Sequence, residues 1–308
     1  MQPRLSSFWA LSLLLASPAA WAGTDTVPST GAAAASAASQ THRPPEYQTV
    51  VRKKLSDTDA TGAYHQAVWT TKRPYTMTRV YVRPKGMAAV DYWLITGGKL
   101  EGGAEPSFES KLEFEFGVGA RIQLDAYLIF GQDSYEDSLR IKSEELEIRY
   151  ALADWGVIPT NPTLFVEWVR QNEAPQKIET KLLLGDTIGP RWYWGADLFY
   201  ETVLGQDWRQ EWGVSFGLSA VAKPRLVHLG IEGKFEGAHE KQGDSWKLSE
   251  IEFLAGPSLS LTPGRFNILL VPLFGAEREL EEPTQPGGER EWETEAVYKI
   301  FLILGAEI

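Results

Sequence analysis

The sequence has no cysteine, and only four histidines and three methionines in 308 residues. Without cysteine there is no disulfide scaffold, no thiolate metal site and no acylated lipoprotein anchor. His42, His65, His228 and His239 form no pair at metal-ligand spacing. Beyond the first two dozen positions no apolar run reaches roughly 18 residues, which excludes a helical membrane protein. Basic residues are also in short supply. Thirty Lys and Arg stand against 41 Asp and Glu, a net charge of −11, so clustered phosphate contacts and a nucleic-acid partner are not expected. No P-loop, nucleophile elbow or zinc signature occurs, and Gly117-Val118-Gly119 lacks the helix a nucleotide fingerprint needs. What the chain does hold is 12 Trp, 11 Tyr and 13 Phe, too many aromatic side chains for disorder throughout.

Residues 1–22 have the form of a secretory signal peptide: Arg4, a mostly apolar stretch from Phe8 to Ala16, and a small-x-small site at Ala20-Trp21-Ala22. An exported protein is therefore expected. From Gly23 to about Pro45 the chain is mainly Ala, Ser, Thr and Gly, a flexible tether. Charge then divides. Residues 23–87 carry a net +5, through Arg43, Arg52, Lys53, Lys54, Lys72, Arg73, Arg79, Arg83 and Lys85, whereas residues 88–308 carry −17. A basic arm precedes an acidic body. The expected division is thus 1–22 signal, 23–87 tether and basic arm, 88–308 folded body.

The body alternates apolar and polar residues with period two, the mark of strands with one apolar face. In 107–131 the even positions are Phe108, Leu112, Phe114, Phe116 and Val118, then Ile122, Leu124, Ala126, Leu128 and Phe130, with Gly117, Gly119 and Ala120 marking a tight turn. The same pattern predicts twelve strands, near 88–96, 107–118, 121–130, 143–152, 163–171, 176–185, 191–202, 207–221, 226–236, 248–261, 266–276 and 296–308. Most are longer than the usual soluble strand of about 5 to 6 residues and match the roughly 9 to 11 of a tilted membrane strand. Four of the five connections on one rim are tight, and 153–162 is the exception. On the other rim 97–106, 131–142, 237–247 and 277–295 are long and polar. An even strand count with asymmetric rims is the pattern of an all-β, twelve-stranded, antiparallel up-and-down transmembrane barrel. Pro257 and Pro272 fall on the outward face of neighbouring strands, where bulges or a register error are expected.

The closing strand, Ala296-Val297-Tyr298-Lys299-Ile300-Phe301-Leu302-Ile303-Leu304-Gly305-Ala306-Glu307-Ile308, resembles the apolar, aromatic-containing terminal strand of Gram-negative outer-membrane β-barrels. Phe114-Glu115-Phe116-Gly117-Val118 and Ile268-Leu269-Leu270-Val271-Pro272-Leu273-Phe274-Gly275 resemble a group of porin-like barrels without assigned activity. The resemblance covers about 88–308. It implies a bacterial outer-membrane location, contact with lipid and with the barrel assembly machinery, and no covalent chemistry or cofactor. It transfers no functional residue.

On this register the polar face lines a lumen. The expected pore-lining residues are Glu113, Glu115, Arg121, Asp125, Glu147, Arg149, Glu167, Glu179, Lys181, Arg191, Asp197, Arg209, Glu211, Glu232, Lys234, Glu250 and Glu252. Charge at that density cannot sit in a dry core, because an unpaired buried ion costs several kcal/mol. The lumen is either a structural ion-pair network or a narrow path leaning toward cations. Inward Trp93, Tyr127, Phe165, Tyr193, Phe199 and Phe301 either stack an aromatic solute or fill space. Three functions follow: a passive channel for small hydrophilic or aromatic solutes, a sealed structural or assembly barrel whose basic arm meets a periplasmic partner, and a lipid hydrolase using Ser219 and His228 across the 222–225 turn. A +5 segment tethered beside a −17 body also suggests that part of 46–87 enters the lumen as a plug; the alternative is a free tail.

Overall fold

The computed structural model describes residues 56–308, apart from 77–78, 102–104, 133–137, 173, 206–208 and 282–289. The signal, the tether and the first part of the basic arm lie outside the described residues. Twelve strands close into one antiparallel barrel: β1 (Ala88–Lys99), β2 (Ser107–Gly119), β3 (Ile122–Gln132), β4 (Arg140–Ala151), β5 (Thr163–Gln171), β6 (Lys177–Ile188), β7 (Trp192–Val203), β8 (Arg209–Lys223), β9 (Val227–Gln242), β10 (Ser245–Leu261), β11 (Phe266–Glu281) and β12 (Glu291–Glu307). Each strand pairs with its sequence neighbours, and β12 returns to β1 through Glu307↔Ala89 to Val297↔Lys99. Closure leaves no unpaired edge. No helix of the described residues is long and apolar enough to cross a membrane, which says nothing against crossing by strands.

The alternation sets the two faces as expected. Phe114, Phe116, Leu146, Leu198, Ile231 and Phe253 stand 46–57% exposed on the outside, while Asp91, Glu113, Glu115 and Arg149 inside are at most 2% exposed. Large apolar side chains are exposed on all twelve strands, an outer surface too apolar and too extensive for one that faces water.

The strands outrun their expected lengths at the long-loop rim. The expected loop 237–247 is a tight β9–β10 hairpin paired out to Gln242↔Ser245, turning on Gly243 with φ +63°. Past Phe235 the apolar face gives way to residues such as His239, Glu240 and Lys241. The period-two signal fades there, although the backbone ladder continues.

Pro257 and Pro272 produce neither a bulge nor a slip. β10 and β11 pair from Glu250↔Glu279 to Ala255↔Phe274 and again from Leu259↔Leu270, with three residues skipped on each strand. The register is kept, and the prolines stand opposite one another across a gap in the ladder.

Residues 56–87 fold against the inner wall at the short-turn end. They contain a two-residue bridge, Ala60–Thr61 with Gln66–Ala67, and one 3-10 turn, Val68–Thr71. Tyr64, Trp69, Tyr75, Val80, Tyr81 and Val82 are all at most 7% exposed and form an apolar cluster with Ala151 and Tyr193 of the wall. Trp69 stacks on Tyr193 at 4.5 Å and meets Trp155 edge-on at 5.8 Å. Trp155 explains why 152–162 is the one long connection on this rim: it closes over the inner segment, its backbone N–H donating to Tyr64 O and Ala153 O accepting from Tyr81 Oη.

A candidate channel lumen and its occupant

Two side-chain sets meet inside the barrel. The wall supplies Asp91 from β1 and Glu113 and Glu115 from β2, residues i and i+2 of one strand and the position opposite, which the pleat brings to one face. The inner segment supplies three arginines. Arg73 reaches Asp91 at 2.6 Å, Glu113 at 2.5 Å and Glu115 at 2.8 Å; Arg79 reaches Glu115 at 2.7 Å and Asp91 at 3.2 Å; Arg83 pairs with Glu115. Three carboxylates face three guanidiniums, so the buried charge balances. Arg73 also lies 4.6 Å over the Trp93 ring, whose indole donates to Glu113 at 2.8 Å. These three acids are close enough to one another to hold a metal ion, but guanidiniums take up their oxygens.

The segment is held at the rim as well. Asp57 accepts from the Arg225 backbone N–H at 3.0 Å and pairs with His228 Nε2 at 2.9 Å, and Lys72 pairs with Glu307 and donates to Gly264 O. Burial acts to raise the Asp57 carboxyl, but the His228 hydrogen bond and the Arg225 contacts outweigh it and hold it below the usual carboxylate range. Burial is the leading effect on Lys72 and pulls its ammonium below the ordinary lysine range despite Glu307.

The inner wall makes room for the segment at glycines. A Cβ on Gly117 would stand 2.2 Å from Pro84 O, and one on Gly217 would stand 2.4 Å from the Tyr75 ring. The backbone and an aromatic ring fit where a side chain is missing.

Beyond this segment lies a cavity of about 1180 Å³, lined by residues from near the long-loop rim down to Arg73 and Thr76. Thirteen acidic and ten basic side chains line it. Several pair along one strand, as Lys181 with Glu179 at 2.9 Å and Lys234 with Glu236 at 2.5 Å, because i and i+2 share a face, and others pair between strands, as Lys177 with Glu201 at 2.6 Å. On β10, β11, β12 and β1 an apolar cluster, Leu254, Leu269, Val271, Leu273 and Ile303 with Trp93, backs the wall, and its Leu254, Leu273 and Trp93 reach the cavity beside Glu250, Glu252, Glu277 and Lys299 of the same strands.

Of the expected pore-lining residues, Glu147, Arg149, Glu167, Glu179, Lys181, Asp197, Glu211, Glu232, Lys234, Glu250 and Glu252 line this cavity. Glu113, Glu115 and Asp125 point inward but are covered, Asp125 by Arg149 at 3.0 Å. Arg209 sits toward the long-loop end of β8, bound to Glu211, Glu240 and Glu250. Arg121 and Arg191 do not line the lumen. Arg121 occupies the β2–β3 turn with φ +62°, its guanidinium on Asp154 and Ala151 O, and Arg191 is exposed in the β6–β7 turn. Both lie in turns, where the strand alternation no longer fixes direction.

Ser219 and His228 do not form a nucleophile–base pair. In the ladder Ser219 stands opposite Gly230 and Val221 opposite His228, and His228 Nε2 is bound to Asp57. Sequence reasoning did not single out Tyr64, Trp69, Tyr75 and Tyr81, which seat the inner segment. The aromatic density of 64–81 beside its positive charge was the available signal.

A closed barrel with an apolar outer surface and a charged interior defines a transmembrane β-barrel of the outer-membrane type. No family model matches the chain, and no curated protein matches it. Among solved structures, the crystal structure of an outer membrane channel from Pseudomonas putida F1 is similar with a TM-score of 0.49 and 11% identity, over 76% of this chain and 100% of that one. The NanC porin gives a TM-score of 0.39 at 8% identity over 69% of this chain and 98% of that one. A bacterial polysaccharide outer membrane secretin gives 0.35 at 8% over 70% and 97%.

Proposed function

We propose that this protein is an outer-membrane channel for small solutes, passive and leaning toward cations, whose short-turn mouth is closed by residues 56–87 acting as a plug. The observation that carries this is the charged cavity of about 1180 Å³ with Arg73 and Thr76 at its floor. A purely structural barrel of this size needs no such space, and acids outnumber bases around it. The plug is docked by balanced charge and by aromatic packing, not by a covalent tie, so it can leave. In this reading the plug lies on the periplasmic side, supported by the signal-like form of residues 1–22 in the sequence and by the rim where the short turns and both ends of the body meet.

Planar-bilayer recording tests this. The full chain is expected to give small or infrequent openings. A variant lacking residues 23–85 is expected to conduct several-fold more and to prefer cations in a salt gradient. Unchanged conductance overturns the plug. Silence in both forms overturns the channel in favour of the sealed barrel, and an anion preference contradicts the lumen assignment.

A further inference from the structure

The prolines locate a weak seam in the barrel wall. In an antiparallel ladder a residue directs its N–H and C=O to the same neighbouring strand. Pro257 pairs with Ile231 of β9 and Pro272 with Ile300 of β12 without any break. Their missing donors therefore point at each other. Two ladder bonds are deleted, Pro257 N to Pro272 O and the reverse, and the pairs on either side depend on the same two bonds. This accounts for the loss of three consecutive pairs, 256–258 against 271–273, while register is kept. Elsewhere in the described ladders a shift skips a single residue.

The wall at this seam is apolar on both sides. Phe253 and Phe274 flank it outside, 53% and 48% exposed, and Leu254, Val271 and Leu273 back it inside. Leu254 and Leu273 also line the cavity, where Trp93, Ile95, Val297 and Phe301 extend the apolar surface on the neighbouring strands. A solute with an apolar or aromatic body meets one wall that suits it, and that wall is where the strands are least tied together.

Building on the channel reading, we propose that the β10–β11 seam is a lateral exit through which an apolar or aromatic solute passes from the cavity into the acyl-chain layer. Ions and hydrophilic solutes, which gain nothing from the apolar wall, stay on the axial route. The seam is closed at rest and opens without breaking the hydrogen bonds that hold other strand pairs.

The native absence of cysteine makes a clean test. Ser258 and Val271 face inward across the gap at a non-hydrogen-bonded position, where the Cα atoms lie about 4.5 Å apart, within disulfide reach. The Ser258→Cys/Val271→Cys protein is placed in vesicles with a lipopolysaccharide outer leaflet, and uptake of N-phenyl-1-naphthylamine is followed by fluorescence. Oxidation is expected to slow uptake several-fold and dithiothreitol to restore it, with KCl conductance unchanged. A second variant, Pro257→Ala/Pro272→Ala, returns the two donors and is expected to slow uptake without oxidation. Equal uptake in the oxidised and reduced protein overturns the proposal, as does full uptake in the alanine variant should the disulfide not form. Conductance is read separately, so loss of the channel reading shows as electrical silence and is not confused with a failed seam.

Discussion

Glu115 binds all three plug arginines, with Arg73 at 2.8 Å, Arg79 at 2.7 Å and Arg83 in direct contact. Glu115→Gln keeps the shape and removes one negative charge, leaving three guanidiniums against Asp91 and Glu113 in a site at most 2% exposed. Removing one partner of a buried pair costs about 3–5 kcal/mol. At about 1.4 kcal/mol per factor of ten, the ratio of docked to released plug should fall by about two to four orders of magnitude. The barrel itself should persist, because Glu115 stays within a paired strand and its side chain supports no ladder bond. Two measurements read the change. Trypsin should cut after Lys72, Arg79 and Lys85, Arg73 and Arg83 being protected by the prolines that follow them, in the folded, detergent-held protein, where the wild type resists, and bilayer conductance should rise toward that of the 23–85 deletion. In a double-mutant cycle, Arg79→Gln with Glu115→Gln should cost less than the two single changes together. A Glu115→Gln protein with wild-type protease resistance and wild-type conductance would refute the idea that these ion pairs hold the plug.

Two further outcomes follow from the same geometry. Gly217→Val places methyl groups where the Tyr75 ring lies, 2.4 Å from the ideal Cβ; overpacking of this kind costs about 1–3 kcal/mol, and it should loosen the Tyr75 Oη–Tyr193 O bond and raise protease cleavage of the plug without changing the amount of assembled barrel. Asp57 is held below its ordinary value of 3.8 in the folded state. Its contribution is therefore complete above about pH 4 and is lost as pH falls through the depressed value, so amide hydrogen exchange in 57–71 should speed up at pH 3 relative to pH 5. Asp57→Asn should show the faster exchange at both pH values, and identical exchange in the wild type at the two values, corrected for intrinsic rate, would count against the linkage.

How much of this was legible beforehand differs by element. All twelve strands are visible as period-two runs because one face of each must be apolar and the other polar, a constraint written into every second residue. The ends are less visible. Near 238–247 both faces are polar, so nothing in the pattern shows that β9 and β10 continue as a hairpin. Arg121 and Arg191 each stand one residue outside a strand, in turns where a positive φ or an exposed tip, and not the alternation, decides direction. Ser219 and His228 are near one another on the sheet, but Asp57, more than 160 residues earlier in the chain, takes the histidine.

Local order along the chain, then, determined the strand count, the direction of each face and the contrast between a basic arm and an acidic body, since these depend only on which residues alternate and on what charges are present. Tertiary structure alone decided what the interior holds. Whether three arginines meet three carboxylates, whether Trp155 closes over Trp69, and whether two prolines 15 positions apart in the sequence face each other across a seam all depend on barrel closure and register, which bring together groups that no local pattern relates. The physical reason is that lumen contacts are non-local: each is an agreement between strands or segments whose separation along the chain carries no trace of their proximity in space.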